Sequence, residues 1–209
     1  TPGTITSSQV LDETKNNYLM GIVYMDGIYG ISTADISTGD FMVTEVDSER
    51  ELFDEINKFS PSEIICNNAL YMSGVDMDEL KNRYQVVITA LDSRFFGEES
   101  CRRILMEHFK VGALVGLGLE DYATGIIAAG AVMQYIYETQ KSTLEHITTV
   151  TPYSTGQYMV IDTSTRRNLE LVETMREKQK RGTLLWVLDK TKTAMGARLL
   201  RACIEQPLI

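Results

Sequence analysis

The fold of this chain is set by residues 17–46, which read Asn17-Tyr-Leu-Met-Gly-Ile-Val-Tyr-Met-Asp-Gly-Ile28-Tyr-Gly-Ile-Ser-Thr-Ala-Asp-Ile-Ser-Thr-Gly-Asp-Phe41-Met-Val-Thr-Glu-Val46. Three runs rich in β-branched and aromatic residues are separated by two short polar segments that contain Asp-Gly and Thr-Gly. Segments of this kind favour tight turns between antiparallel strands. The stretch therefore predicts three strands, 18–24, 28–36 and 41–46, joined as an antiparallel meander.

Helical and strand patterns alternate after the meander. Ser48-Glu-Arg-Glu51 has the form of a capping box, in which a serine and a glutamate satisfy free backbone N–H groups at the start of a helix. Periodicity and turn residues predict the remaining elements, which are a helix ending before Pro61, a strand at 63–66, a helix near 78–83, a strand at 84–88 and helices at 98–109 and 120–140. The order predicts an α/β domain with a five-stranded mixed sheet and flanking helices, which is the order of an RNase H-like fold.

The last part of the chain has a purely helical pattern. Asp162, Thr183 and Thr193 each stand where a helix can be capped, and Pro207 stops the last helix. Leu169, Val172 and Met175 are expected to form a buried stripe, and Trp186 is expected in the core. The α/β domain is therefore predicted to be followed by an all-α partial domain.

Charge divides the chain into two parts. The net charge is −9, but residues 1–161 carry 10 basic against 23 acidic residues, whereas residues 162–209 carry 10 against 6. The acidic balance argues against independent nucleic-acid binding, because phosphate contacts need Lys and Arg. The basic end is either a solvated helical surface or a segment that faces DNA or an acidic neighbour.

Cysteine usage and hydropathy bear on the cellular compartment. Cys66, Cys101 and Cys203 are odd in number and far apart, which fits a reducing compartment better than disulfides or a metal site. No stretch approaches the ~18 apolar residues of a membrane helix, and the first residues lack the pattern of a signal peptide. We therefore expect a cytoplasmic protein that does not bind membranes.

Several segments together resemble the MutS family of DNA mismatch-repair proteins. The most specific are Arg166-Arg-Asn-Leu-Glu170, Thr183-Leu-Leu-Trp-Val-Leu-Asp189 and Thr193-Ala-Met-Gly-Ala-Arg-Leu-Leu-Arg201, which resemble the start of the family's core, or lever, domain. Asp35-Ile-Ser-Thr-Gly39 and the helix around Ala128-Ala-Gly130 resemble its connector domain. Thr1-Pro-Gly-Thr4 resembles the linker that leaves the mismatch-reading domain.

The resemblance implies a domain division and a role. Residues 1–16 would be a linker, 17–145 an RNase H-like connector and 146–209 the start of the helical core domain. The parent protein would be a homodimeric ATPase that clamps mismatched duplex DNA, with ATP and Mg²⁺ bound in a domain outside this chain. The fragment itself would have no catalytic, cofactor or metal site. It would couple nucleotide state to DNA clamping and dock a MutL-like partner.

Two sets of charged residues are candidates for these contacts. Arg102, Arg103 and Glu107 fall outward on helix 98–109, opposite Cys101 and Leu105, and are predicted to dock the MutL-like partner. A second set, Arg166 and Arg167, is predicted at the start of a helix, where the macrodipole disfavours cations. Their partners would be connector carboxylates, which would lock the two domains together, or a nucleotide-bearing domain elsewhere; the alternative is ordinary exposed arginine.

A metal-dependent nuclease or nucleotidyl transferase is the alternative function, since an RNase H-like sheet can hold two metal ions with three or four carboxylates. Asp26 lies in a turn, and Asn67 stands where such an enzyme would place an aspartate. Asp35 could be a catalytic acid, but it is expected to bond the following turn or to face solvent beside Ser37 and Thr38. The acids that could complete a site are Glu51 or Glu55 and Glu120 or Asp121. The two lone histidines, His108 and His146, have no orienting partner or nucleophile nearby in sequence, and His146 is expected on the surface or in a packing role. A generic interaction module and a family member that works outside repair also stay open.

Overall fold

The computed structural model describes residues 16–140, 144–155, 159, 161 and 163–207. The predicted linker therefore lies outside the described residues except for Asn16. Within the described residues, one mixed sheet has the strand order β5-β4-β1-β2-β3-β6. Its strands are β1 (Tyr18–Met25), β2 (Ile28–Asp35), β3 (Asp40–Val46), β4 (Glu63–Cys66), β5 (Val87–Ala90) and β6 (Thr151–Pro152).

The meander forms as the turn residues predict. The strands β1 and β2 pair antiparallel from Tyr18 opposite Asp35 to Met25 opposite Ile28, and β2 pairs antiparallel with β3. Asp26 and Gly27 form the first turn with positive φ angles of 50° and 84°. A glycine at the second position makes this conformation possible without a side-chain clash. The strands β4 and β5 then extend the sheet in parallel beside β1.

The sheet has six strands, so the prediction of five was wrong by one. The missed strand, β6, has only two residues and pairs parallel with β3. The Tyr153 N–H donates to the Val43 carbonyl at 3.0 Å, and the Thr44 hydroxyl donates to the Tyr153 carbonyl at 2.7 Å. So short a strand has no alternating pattern that a sequence could show. The likeness to RNase H stays a prediction.

Four helices cover the sheet, two on each face. α1 (Glu49–Phe59) and α2 (Met77–Tyr84) pack on the face that presents Met20 and Ile22, and α3 (Glu98–Phe109) and α4 (Ala123–Thr139) pack on the face of Leu19. One half of the predicted capping box is present, because the Ser48 hydroxyl accepts from the Glu51 N–H at 3.3 Å. The Glu51 carboxylate accepts from the same hydroxyl at 2.9 Å. The result is a three-layer α/β/α unit.

The helix α4 lies unusually close to the sheet. A Cβ added to Gly30 of β2 would overlap the Thr124 backbone and stand 2.7 Å from the Gly125 nitrogen, and one added to Gly125 would stand 2.8 Å from a Val43 methyl. The Glu45 carboxylate of β3 accepts from the Thr124 and Gly125 N–H groups at 2.7 and 2.8 Å. Missing side chains thus allow the approach, and a carboxylate at the positive end of the helix fixes it.

Packing of the α/β unit continues beyond α4. Leu144, Ile147 and Val150 are buried in the same core as Leu19 and Ile126. The packing therefore runs past the domain boundary predicted between residues 145 and 146. The domain division itself stays a prediction.

The described part of the last segment is helical, with α5 (Thr163–Asn168), α6 (Leu184–Leu188) and α7 (Ala194–Glu205). Its small core contains Leu171, Val172 and Leu185. The expectation of a buried Trp186 was wrong, since 49% of this side chain is exposed, and Leu169 and Met175 are also exposed. The helix α6 has five residues and buries only Leu185, so it does not present a continuous apolar face. Among the described residues, no helix combines the length and apolar character needed to cross a bilayer.

The contact between α4 and the sheet can be tested by adding one carbon atom. Gly30→Ala should lower the free energy of unfolding by about 1–3 kcal/mol, because neither backbone can move away without breaking the sheet or the helix. Gly112→Ala is the control, since Gly112 is exposed and its added Cβ meets no atom within 4 Å. Urea unfolding followed by circular dichroism measures both, and equal midpoints would contradict the described contact.

Candidate functional site

The outer face of α3 carries the predicted docking residues. Cys101 and Leu105 are fully buried, whereas Arg103 and Glu107 are exposed one turn apart on the opposite side. Arg102 is partly exposed, and its Nε donates to the Glu98 carboxylate at 3.0 Å. The structure therefore brings the three residues to one accessible helix surface. Their role in docking stays a prediction.

The two histidines pack against backbone carbonyls. His108 on α3 has its Nδ1 2.6 Å from the Tyr137 hydroxyl and its Nε2 2.7 Å from the Ile147 carbonyl, so it ties α3 to α4 and to the segment that follows. The His146 Nε2 contacts the Ile36 carbonyl. A carbonyl can only accept a hydrogen bond, so the Nε2 atoms of His108 and His146 each carry a proton. His146 thus packs on backbone, one of the two roles that the sequence predicts for it, and His108 does the same.

The candidate catalytic acids are spread over the unit. Asp26 is exposed in its turn, while buried Asp35 accepts from the Asn17 and Ser37 N–H groups at 3.0 and 2.8 Å, as a residue that holds a turn does. The Asn67 side chain pairs with both backbone groups of Tyr24 at 3.1 and 2.9 Å. Within the described residues, no three His, Cys, Asp or Glu side chains converge closely enough to hold a metal ion.

The remaining acids of the nuclease hypothesis lie on elements of opposite faces. Glu51 and Glu55 are on α1, whereas Glu120 and Asp121 precede α4, and the sheet lies between these two helices. Two-metal chemistry requires carboxylates that surround one pair of ions. These four residues do not form such a set.

A junction joins the α/β unit to the helical segment. The Asn57 side-chain amide donates to the Ile161 carbonyl at 2.9 Å, and the Gln206 side-chain amide donates to the Lys58 carbonyl at 3.1 Å. Both bonds start or end at the last turn of α1. We call this contact, formed by Asn57, Lys58, Ile161 and Gln206, the junction. The sequence did not reveal it, because a lone amide side chain belongs to no motif.

Arg166 lies beside the junction, but not at a helix start. It lies with Arg167 in the last turn of α5, where the helix macrodipole favours cations. The unfavourable interaction with the dipole that the sequence predicted is therefore absent. Its Nη1 is 4.0 Å from the Glu205 carboxylate of α7, which also accepts from Arg201 at 3.3 Å. Arg166 lines a cavity of about 160 Å³ together with the α1 carboxylates Glu51, Asp54 and Glu55. Arg167 is exposed, and the interdomain role of both arginines stays a prediction.

A buried charged pair supports the same end of α1. The Lys58 Nζ lies 3.6 Å from the Glu55 carboxylate and 4.3 Å from the centroid of the Tyr153 ring, and the Tyr153 hydroxyl donates to Glu55. Burial raises the pKa of Glu55 and lowers the pKa of Lys58. Each charge therefore depends on the other to offset its lost hydration. The pair connects α1 to the residues that follow β6.

The described residues form an α/β/α unit that side-chain hydrogen bonds join to a helical segment, an arrangement typical of multidomain proteins. The family model described as MutS domain II matches residues 17–148, and the model described as MutS domain III matches residues 164–209. The chain belongs to the MutS family.

Curated relatives agree with this assignment. The chain is 59% identical over 209 residues to the DNA mismatch repair protein MutS of Lachnoclostridium phytofermentans. It is 45% identical over 212 residues to the proteins of the same name from Ruminiclostridium cellulolyticum and Acetivibrio thermocellus. All of this chain is covered in each comparison, but it spans only 22–24% of the length of these relatives.

The buried pair predicts a strong energetic coupling. Glu55→Gln and Lys58→Met should each lower the free energy of unfolding by about 1–3 kcal/mol, because each leaves the other group without its partner. The double variant should lose less than the sum of the two single losses. A double-mutant cycle in urea measures the difference.

The exposed pair of Glu79 and Arg83, 3.2 Å apart on α2, is the matched control. Its cycle should give only about 0.2–1 kcal/mol, since water screens both charges. Additive losses at Glu55 and Lys58 would mean that these groups do not stabilise each other.

Proposed function

We propose that the chain is the coupling segment of a DNA mismatch-repair protein, in which an α/β connector is held to the first helices of a core domain. The observation that carries this proposal is the match of two successive MutS domain models to the two parts that meet at the junction. In this role the segment is not an enzyme. Its work is to hold two bodies in a defined orientation and to transmit a change of that orientation.

The docking surface for a MutL-like protein is the outer face of α3. The helix is a firm support for a partner because it packs tightly on α4: a Cβ added to Gly130 would stand 2.5 Å from the Cys101 Cα. Arg103 and Glu107 therefore project from a helix that tight packing on α4 holds in place. Charged residues on such a surface guide association and select the partner.

Nucleotide binding belongs to the longer protein. ATP and Mg²⁺ would act at a domain beyond this segment, in a homodimer that surrounds mismatched duplex DNA. A nucleotide-dependent movement would reach the connector through α7, because the side chain of Gln206, the residue that follows α7, bonds to the end of α1. Arg167, exposed beside this path, is available to a further domain.

Charge reversal tests the docking surface. In the full-length protein, Arg102→Glu with Arg103→Glu should weaken binding of the MutL-like protein at least about tenfold, the effect of losing roughly 1.4 kcal/mol of favourable interaction. Surface plasmon resonance on mismatched DNA measures the complex. Arg50→Glu is the control, because Arg50 is exposed on α1 across the sheet. Unchanged partner binding by the double variant would rule out this face.

Removing the junction amides tests the coupling. Asn57→Ala with Gln206→Ala should leave mismatch binding without nucleotide close to normal but slow the ATP-induced release from DNA, because the two bodies would no longer move together. Stopped-flow fluorescence of labelled DNA measures the release rate. Asn82→Ala is the control, since Asn82 is exposed on α2 away from the junction. A release rate equal to that of the control would reject the junction as the path.

A further inference from the structure

An open pocket lies beside the C-terminal end of α3, between that helix, the end of α4 and residues 144–148. Its volume is about 510 Å³, within the range of roughly 300–1,000 Å³ that is typical of ligand-binding pockets. Apolar and aromatic side chains form part of its lining, and they include Phe109, Tyr137, Leu144 and Ile147. None of the junction residues lines it, so it is a separate feature of the α/β unit.

The floor of the pocket is fixed to the α/β unit. Leu144 and Ile147 are each only 2% exposed and belong to the main core. The His108 side chain connects two of the walls, because its Nδ1 lies 2.6 Å from the Tyr137 hydroxyl and its Nε2 donates to the Ile147 carbonyl at 2.7 Å. A pocket whose walls are already fixed binds without the cost of ordering them.

Three aromatic rings line the pocket and meet edge to face. The centroid of the His108 ring lies 4.8 Å from that of Phe109 and 5.8 Å from that of Tyr137, with interplanar angles of 85° and 69°. The Tyr137 side chain is 42% exposed, so a visiting group can reach its ring. Aromatic rings attract one another in edge-to-face and offset arrangements. The lining therefore favours a further aromatic ring as the occupant.

The pocket continues the proposed docking face. Arg103 and Glu107 are exposed one turn apart on α3, and exposed Lys110 follows at the end of the helix. These three positions span roughly 10 Å along the helix axis, at about 1.5 Å per residue. Glu107 and Lys110 also line the pocket. A partner that lies along this face of α3 therefore meets the pocket at its end.

Charges around the pocket restrict the occupant further. Exposed Glu107, Lys110 and Glu145 line it, and none of the three forms a salt bridge with a described residue. Two carboxylates against one ammonium group favour a cationic neighbour. We propose that the pocket receives an aromatic side chain of the MutL-like partner, with a basic residue of that partner beside it. The inference rests on the docking role proposed for α3.

Filling the pocket tests the anchor. In the full-length protein, Thr148→Trp should place an indole ring in the pocket and weaken binding of the MutL-like protein at least about tenfold, as expected when an interface loses its central anchor. Thr149→Trp is the matched control, because Thr149 is exposed and adjacent but does not line the pocket. Surface plasmon resonance on mismatched DNA measures binding, and urea unfolding checks that both variants are folded.

Reversing one charge tests the basic neighbour. Glu145→Lys should slow association with the MutL-like protein about threefold or more at low salt, because it removes a carboxylate that attracts the partner. Glu120→Lys is the control, since it makes the same charge change at an exposed position before the other end of α4. Glu145 is exposed, so this variant decides the question if Thr148→Trp does not fold.

The outcomes separate the pocket from the docking face as a whole. Weakened binding by Arg102→Glu with Arg103→Glu, but normal binding by Thr148→Trp, would overturn the pocket and keep the docking face. Normal binding by all of these variants would overturn both. Equal weakening by Thr148→Trp and Thr149→Trp would also overturn the pocket, since the loss would not depend on filling it.

Discussion

The close approach of α4 to the sheet is the constraint on which the rest of the structure depends. Gly30 and Gly125 remove the side chains that would hold the two backbones apart, and Glu45 fixes the first turn of the helix to β3. The next layer follows from the same feature, because Gly130 lets Cys101 of α3 reach the backbone of α4. The proposed docking face is therefore positioned by three glycines and a carboxylate, none of which belongs to it.

Local patterns explain which parts of the fold the sequence could predict. The meander follows from alternating runs and an Asp-Gly turn, and the start of α1 follows from Ser48 and Glu51; all of these interactions join residues close in sequence. The strand β6 depends on the distant Val43, and the exposure of Trp186 depends on how little of α6 is covered. These contacts join residues that are distant along the chain, so local periodicity does not show them. For this reason the sequence analysis missed β6 and wrongly placed Trp186 in the core.

The candidate sites divide in the same way. The outward phase of Arg103 and Glu107 follows from helical geometry, which a sequence shows directly. The environment of Arg166 does not, because it depends on Glu205 and on α1, which are distant along the chain. The sequence predicted Arg166 at a helix start, whereas the residue lies in the last turn of α5. The prediction that the chain belongs to the MutS family rested on sequence motifs, and not on helical geometry or on the environment of Arg166.

The position of the junction favours movement of the α/β unit as a whole over deformation within it. The proposed docking face on α3 and the junction at α1 lie on opposite faces of the sheet, with fully buried Leu19 and Met20 between them. Close-packed interiors change shape little, since small displacements already cost contact energy. A change at α7 would therefore rotate α3 with the sheet and keep its surface intact. In the proposed role, a nucleotide-dependent movement of α7 would control where the proposed docking face points, and the junction amides would set the angle.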